Sequence, residues 1–118
     1  MDSMDSILDS IKKLLGPSAE DTSFDDDIIM HINSAFSILS ELGAGPVDGF
    51  MITSNVDKWT DFLGPGKKLE MVKIYVYEKV RLIFDPPQSA AAIDSLTRDI
   101  AQYEWRINVA VDPPSQTG

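Results

Sequence analysis

His31 is the only histidine of the sequence, and it follows closely on three adjacent carboxylates, Asp25, Asp26 and Asp27. These are the side chains with the most evident capacity for acid–base or metal chemistry. A catalytic histidine needs an acid or nucleophile placed for it, and a metal site needs co-ligands that converge. Consecutive residues of a helix point about 100° apart, so neighbouring carboxylates diverge. At the start of a helix they have a simpler use, meeting the positive end of the dipole and the unpaired N–H groups. Tyr75 and Tyr77 could offer stacking faces to bases, but no basic groove accompanies them. The glycines between 43 and 49 lack the Lys-Ser/Thr sequel and the flanking strand of a phosphate-cradling loop. With no cysteine, a thiol nucleophile, a thiolate metal site and a disulfide framework are all excluded. No Ser/His/Asp order and no His-Glu-x-x-His spacing is suggestive. The expectation is a protein without catalysis, cofactor or metal, whose function lies in its surfaces.

Those surfaces must be carried by helices. Met4, Ile7, Leu8, Ile11, Leu14 and Leu15 recur at helical spacing, which predicts a first helix from about Met4 to Leu15. Asp2 or Ser3 can cap it, Lys12 and Lys13 suit its C-terminal dipole, and Gly16-Pro17 stops it. A polar linker, Ser18 to Ser23, leads into a second helix with Thr22 or Ser23 as N-cap. Its buried stripe is Phe24, Ile28, Ile32, Ala35, Phe36, Leu39 and Leu42, with His31 at the boundary, and Gly43 ends it. From Ala44 to Asn55 the periodicity fails. Gly45-Pro46 and Asp48-Gly49 signal turns, while Phe50, Met51 and Ile52 suggest a loop that packs back onto the helices. Ser54 or Asn55 can cap a short helix, Val56 to Leu63, that offers Trp59, Phe62 and Leu63 to the core.

The third long helix covers about Lys68 to Phe84. Leu69, Val72, Val76, Val80 and Ile83 form one apolar band, and Met71, Tyr75 and Leu82 form a second about 100° away. Glu70, Lys67, Glu78 and Arg81 share the polar face. Two bands imply neighbours on two sides, so this is the central helix. Asp85-Pro86-Pro87 terminates it, because proline lacks an N–H and the residue before it avoids the helical region. Ser89 caps a fourth helix, Ala90 to about Val109, with Ile93, Leu96, Ile100, Tyr103 and Ile107 on a single face. Trp105 falls far from that stripe, among Asp94, Arg98 and Gln102, where it either covers a loop or anchors a partner. The expected architecture is an all-α domain, residues 1–111, of four main helices plus one short helix, with an irregular loop at 44–55. Residues 112–118 carry no pattern and read as a flexible C-terminal tail.

One core is the norm for 118 residues, and 43% hydrophobic residues make it a modest one that oligomerisation would supplement. No apolar run approaches the ~20 residues needed to span a bilayer, and the acidic start is unlike a signal peptide. A soluble protein with no membrane partner is expected. The net charge of −9 is unevenly spread. Residues 1–62 hold twelve acids against three lysines, whereas residues 63–118 hold seven acids and seven bases. Such a surface repels phosphates, which disfavours sequence-reading nucleic-acid binding. Solubility accounts for the acidity simply; a basic partner, or DNA that must pass without sticking, is the sharper alternative.

The order of motifs adds an identity to this outline. Leu69-Glu70-Met71-Val72-Lys73, Tyr75-Val76-Tyr77, Lys79-Val80-Arg81-Leu82, Phe84-Asp85-Pro86-Pro87 and Glu104-Trp105-Arg106-Ile107-Asn108 resemble the head-to-tail connector (adaptor, or neck) proteins of tailed bacteriophages and prophages. Earlier in the chain, Ile11-Lys12-Lys13-Leu14-Leu15-Gly16, Asp21-Thr22-Ser23-Phe24-Asp25, Ile28-Ile29, Ile32-Asn33, Leu42-Gly43 and Trp59-x-x-Phe62 are similar to that family too. The loop 44–55 and the tail carry little of this signal.

The resemblance implies a non-catalytic structural virion protein. Around twelve copies would form a ring under the portal, extend the DNA channel without sequence-specific contacts, and dock a stopper or tail component. Such a subunit would sit in the virion neck, after assembling in the host bacterial cytoplasm. Family members are often monomeric before they meet the portal, and their C-terminal arm tends to order on assembly. Trp105, Met71, Tyr75, Leu82, Arg98 and Arg106 are the candidate subunit or partner interface. The rival function, of another class, is a soluble adaptor or regulatory module that grips one partner helix in its groove.

Overall fold

In a computed structural model, which describes residues 5–64 and 66–111, the chain is all-α. Five α-helices run in the order α1 (Ile7–Leu15), α2 (Asp25–Glu41), α3 (Trp59–Phe62), α4 (Lys67–Phe84) and α5 (Ala90–Val111), with no strand among the described residues. Two 3-10 turns, Pro17–Ala19 and Thr22–Phe24, join α1 to α2. None of these helices is long and apolar enough to cross a membrane.

The periodicity of α2 translates directly into burial. Ile28, Ile32, Ala35, Phe36 and Leu39 are enclosed, and Leu42 is half-buried. Phe24 departs from the expected stripe: it is exposed at one edge and meets Phe84 edge-on at 5.5 Å. The expected caps shift as well. Asp21, not Thr22 or Ser23, accepts the free N–H of Ser23 at 2.9 Å. That bond is the main reason its carboxyl titrates below the usual range. Asp25 pairs with Lys12 of α1 and ties the two helices together. The start of α1 is Ser6, whose hydroxyl accepts from the Asp9 N–H at 3.2 Å. The predicted caps Asp2 and Ser3, and Met4, lie outside the described residues. Leu14, expected in the core, is exposed.

The segment 44–58 has no periodicity, yet it is tightly tied. Asn33 of α2 grips Ile52 by both backbone groups, accepting from its N–H at 2.7 Å and donating to its carbonyl at 3.0 Å. Asp57 accepts from the N–H groups of Thr53 and Ser54, and its own carbonyl accepts from Ile7 N–H at 3.0 Å. Because Asp57 closes that turn with its side chain, the short helix begins at Trp59 and not at Val56, with Lys58 as N-cap in place of Ser54 or Asn55. Phe36, Phe50, Trp59 and Phe62 pack as one aromatic cluster, with Phe36 and Phe62 centroids 4.6 Å apart. Trp59 is 1% exposed, and its indole N–H donates to the buried Ser10 hydroxyl at 2.8 Å. Gly45, at φ +87°, passes so close that a Cβ there would lie 2.3 Å from the Phe62 ring.

α4 is central, as its two bands imply: it packs extensively on both α2 and α5. Leu69, Val72, Val76 and Val80 are buried; Ile83, at the last turn, is exposed. Asp85 follows as C-cap, and Asp85 also accepts from the Ser18 hydroxyl at 3.1 Å. Ser89 accepts from Ala92 N–H, the cap expected for α5. α5 buries only Leu96, Ile100 and Ile107, and Asn108 donates to the Leu42 carbonyl at 3.1 Å.

Candidate subunit interface

The six predicted interface residues separate into two groups. Tyr75 belongs to the interior. It is 0% exposed, and its hydroxyl donates to a Glu104 carboxylate oxygen of α5 at 2.8 Å. Burial, reinforced by the Glu104 charge, pushes the phenol far above its ordinary value. Met71 and Leu82 lie on the same side of α4 and are half-buried against the core. The second apolar band is therefore largely the seam on which α5 sits within the subunit. Of the core or interface packing open to Tyr75, its burial within the subunit matches the core. The band belongs to a helix with two internal neighbours, and no surplus remains at its centre.

Glu78 shares that seam. Its Oε1 is buried without a hydrogen-bond partner. Burial raises its pKa, Asp99 of α5 raises it further, and Arg81 opposes them.

The second group is outside. Trp105 is 69% exposed and lies on the face of α5 turned away from α4. Among the described residues nothing encloses its ring. Ala101, Gln102 and Arg106 line a shallow depression beside it. Arg98, seven residues earlier, is exposed on the same side of the helix, and the Arg106 guanidinium stands 5.7 Å from the Tyr103 ring centroid. A large aromatic ring flanked by arginines has the composition favoured where proteins meet.

A second surface was not foreseen. A groove of about 530 Å³ runs between the outer face of α2 and the loop after it. Met30 (59% exposed) and Met51 (69% exposed) flank it, Phe36 and Phe50 contribute aromatic edges, and Glu41 and Asp48 lie on its lining. Its only trace in the sequence is Phe50-Met51-Ile52, where the chain alternates: Ile52 goes in and Met51 comes out. His31 is half-buried at the edge of the α2 core stripe, and no set of three or more Asp, Glu or His among the described residues is arranged to hold a metal ion.

A family model described as phage connector protein matches residues 7–114, the entire helical body. The chain belongs to the phage connector protein family. No curated protein and no solved structure gives a significant match. As a member of a structural family, the connector takes its place at the head–tail connection of the virion. The architecture fits a structural part, since the connector's exposed apolar residues lie on the outer faces of helices and a loop, with the polar groups of its interior mostly spent on holding segments together.

Proposed function

We propose that the connector assembles as a ring of about twelve copies beneath the portal, extends the DNA channel, and presents the surface on which a stopper or tail component docks. The family match over residues 7–114 carries this reading. Two features support it. Trp105 and its neighbouring arginines leave an apolar and cationic face that the subunit's own core does not use. The concentration of acid in residues 1–62 suits a channel wall, because like charge lets a duplex slide without gripping it. In this reading residues 1–111 are the body; the expected tail, residues 112–118, lies outside the described residues.

Mixing the purified connector with the portal protein of the same phage and imaging by electron microscopy tests the proposal. Rings on the portal are expected, and failure to bind portal or form any ring would reject it. Trp105→Ala should impair ring formation while leaving the monomer's unfolding transition in place.

A further inference from the structure

Two exposed features of the connector complement each other, and they are carried by different elements. One is Trp105 on the outer face of α5, with Arg98 and Arg106 beside it. The other is the groove between α2 and the 44–52 loop, flanked by Met30 and Met51 and carrying Glu41 and Asp48. α4 packs on both α2 and α5, and α2 and α5 also meet at the Asn108–Leu42 bond. Trp105 is nevertheless not among the residues that line the groove of its own chain.

We infer that Trp105 of one connector inserts into the Met30–Met51 groove of a second copy, and that this pairing is the head-to-tail contact of the ring. The inference rests on the ring reading given above.

Shape, chemistry and charge each point the same way. At about 530 Å³ the groove has room for an indole and the stem of a flanking arginine. Methionine lines surfaces that receive aromatic rings well, because its thioether is polarisable and its chain adapts. Phe50 and Phe36 add aromatic edges to the floor. The groove belongs to the acidic half of the chain, residues 1–62, and Glu41 and Asp48 bring carboxylates to where Arg98 and Arg106 would arrive. Such rim charges set register and encounter rate more than affinity, while the buried aromatic anchor supplies the energy. Because knob and groove are different surfaces, the contact is heterologous. It repeats from copy to copy and closes into a ring, where a self-complementary patch would stop at a dimer.

The natural absence of cysteine makes cross-linking clean. Ser37, on the groove, and Gln102, beside Trp105, are both exposed. The full chain carrying Ser37→Cys and Gln102→Cys is assembled on the portal, checked for rings by electron microscopy, and then oxidised. The expected result is a ladder of disulfide-linked oligomers, with no ladder from either single variant. Trp105→Ala should cut the cross-link yield at least tenfold. Arg98→Glu with Arg106→Glu should lower it at low salt, and adding Glu41→Arg with Asp48→Arg should restore it. Rings that form without the ladder, or a ladder indifferent to Trp105→Ala, overturn this contact and leave the ring reading intact. No rings at all overturns both.

Discussion

Trp59 and Trp105 are the connector's two tryptophans. Trp59 is 1% exposed, stacked among Phe36, Phe50 and Phe62, with its N–H given to a buried serine. Trp105 is 69% exposed on a helix that buries three side chains. The regions around them differ in the same sense. Around Trp59, side chains satisfy backbone groups: Asn33 of α2 clamps the distant Ile52, and Asp57 closes the local turn at Thr53 and Ser54. Around Trp105, one helix is laid along α4 and its outer face is left bare. The first region spends its apolar surface on the fold. The second leaves its largest apolar side chain exposed, which is the surface that the proposed assembly would use.

The sharpest way to break this contrast is to truncate both indoles. Trp59→Ala removes a fully enclosed ring and its bond to the Ser10 hydroxyl, which keeps the Ile7 carbonyl as its acceptor, so a loss of about 3–5 kcal/mol is expected in urea unfolding. Trp105→Ala should stay within about 0.5 kcal/mol of wild type, as surface changes do. Comparable losses from the two would mean that Trp105 is a core residue and the contrast is false.

Next in size is Gly45→Ala. It places a Cβ at positive φ and into the Phe62 ring, so about 2 kcal/mol should be lost through strain and displacement of the aromatic cluster. Unchanged stability would show that the cluster gives way freely. Asn33→Ala strips partners from the N–H and carbonyl of the buried Ile52. A cost of about 1–2 kcal/mol is expected, with faster amide exchange confined to the 50–57 loop and α5 unaffected. Exchange that rises in α5 as well would show the two regions to be one cooperative unit.

The smallest effect tests the seam between them. Glu78 has a folded-state pKa raised above its ordinary 4.5, chiefly by burial and then by Asp99. A raised carboxyl stabilises the fold below its unfolded pKa, and that contribution is lost as pH rises through the folded value. The connector should therefore gain stability on going from neutral pH towards pH 4.5, as far as this group is concerned. Glu78→Gln should be more stable than wild type at pH 7, with the advantage shrinking as the solution is acidified. A difference independent of pH would remove Glu78 from the account.

Much of this fold is legible in local pattern. Helical spacing marks the buried stripes of α2 and α4; Gly43 ends the first by readily taking a left-handed φ of 91°, and Pro86-Pro87 end the second because proline lacks the N–H and restricts the residue before it. The two apolar bands of α4 correctly announce neighbours on two sides. Local pattern does not say whether a neighbour is another helix of the same chain or another subunit, and for that reason core and interface packing are both open to Tyr75 in the sequence. Ser89 caps α5 as its sequence implies, whereas the caps before α1, α2 and α3 differ from expectation by one to a few residues, since several polar side chains near those starts can accept an N–H. The groove left almost no trace, because its two walls come from segments whose apposition depends on the Asn33–Ile52 clamp.

By itself, the sequence determined the all-helical class, the central position of α4, the displaced Trp105, the uneven charge and the family. These are properties of residue order along one helix or along the whole chain. Only the tertiary structure decided that Tyr75 of the second band is enclosed and bonded to α5, that Trp105 is exposed among the described residues, and that an acidic, methionine-flanked groove lies between α2 and the loop after it. The physical reason is that burial is a relation between segments. A periodic stripe requires that something cover it, and only the packing of the chain shows what does.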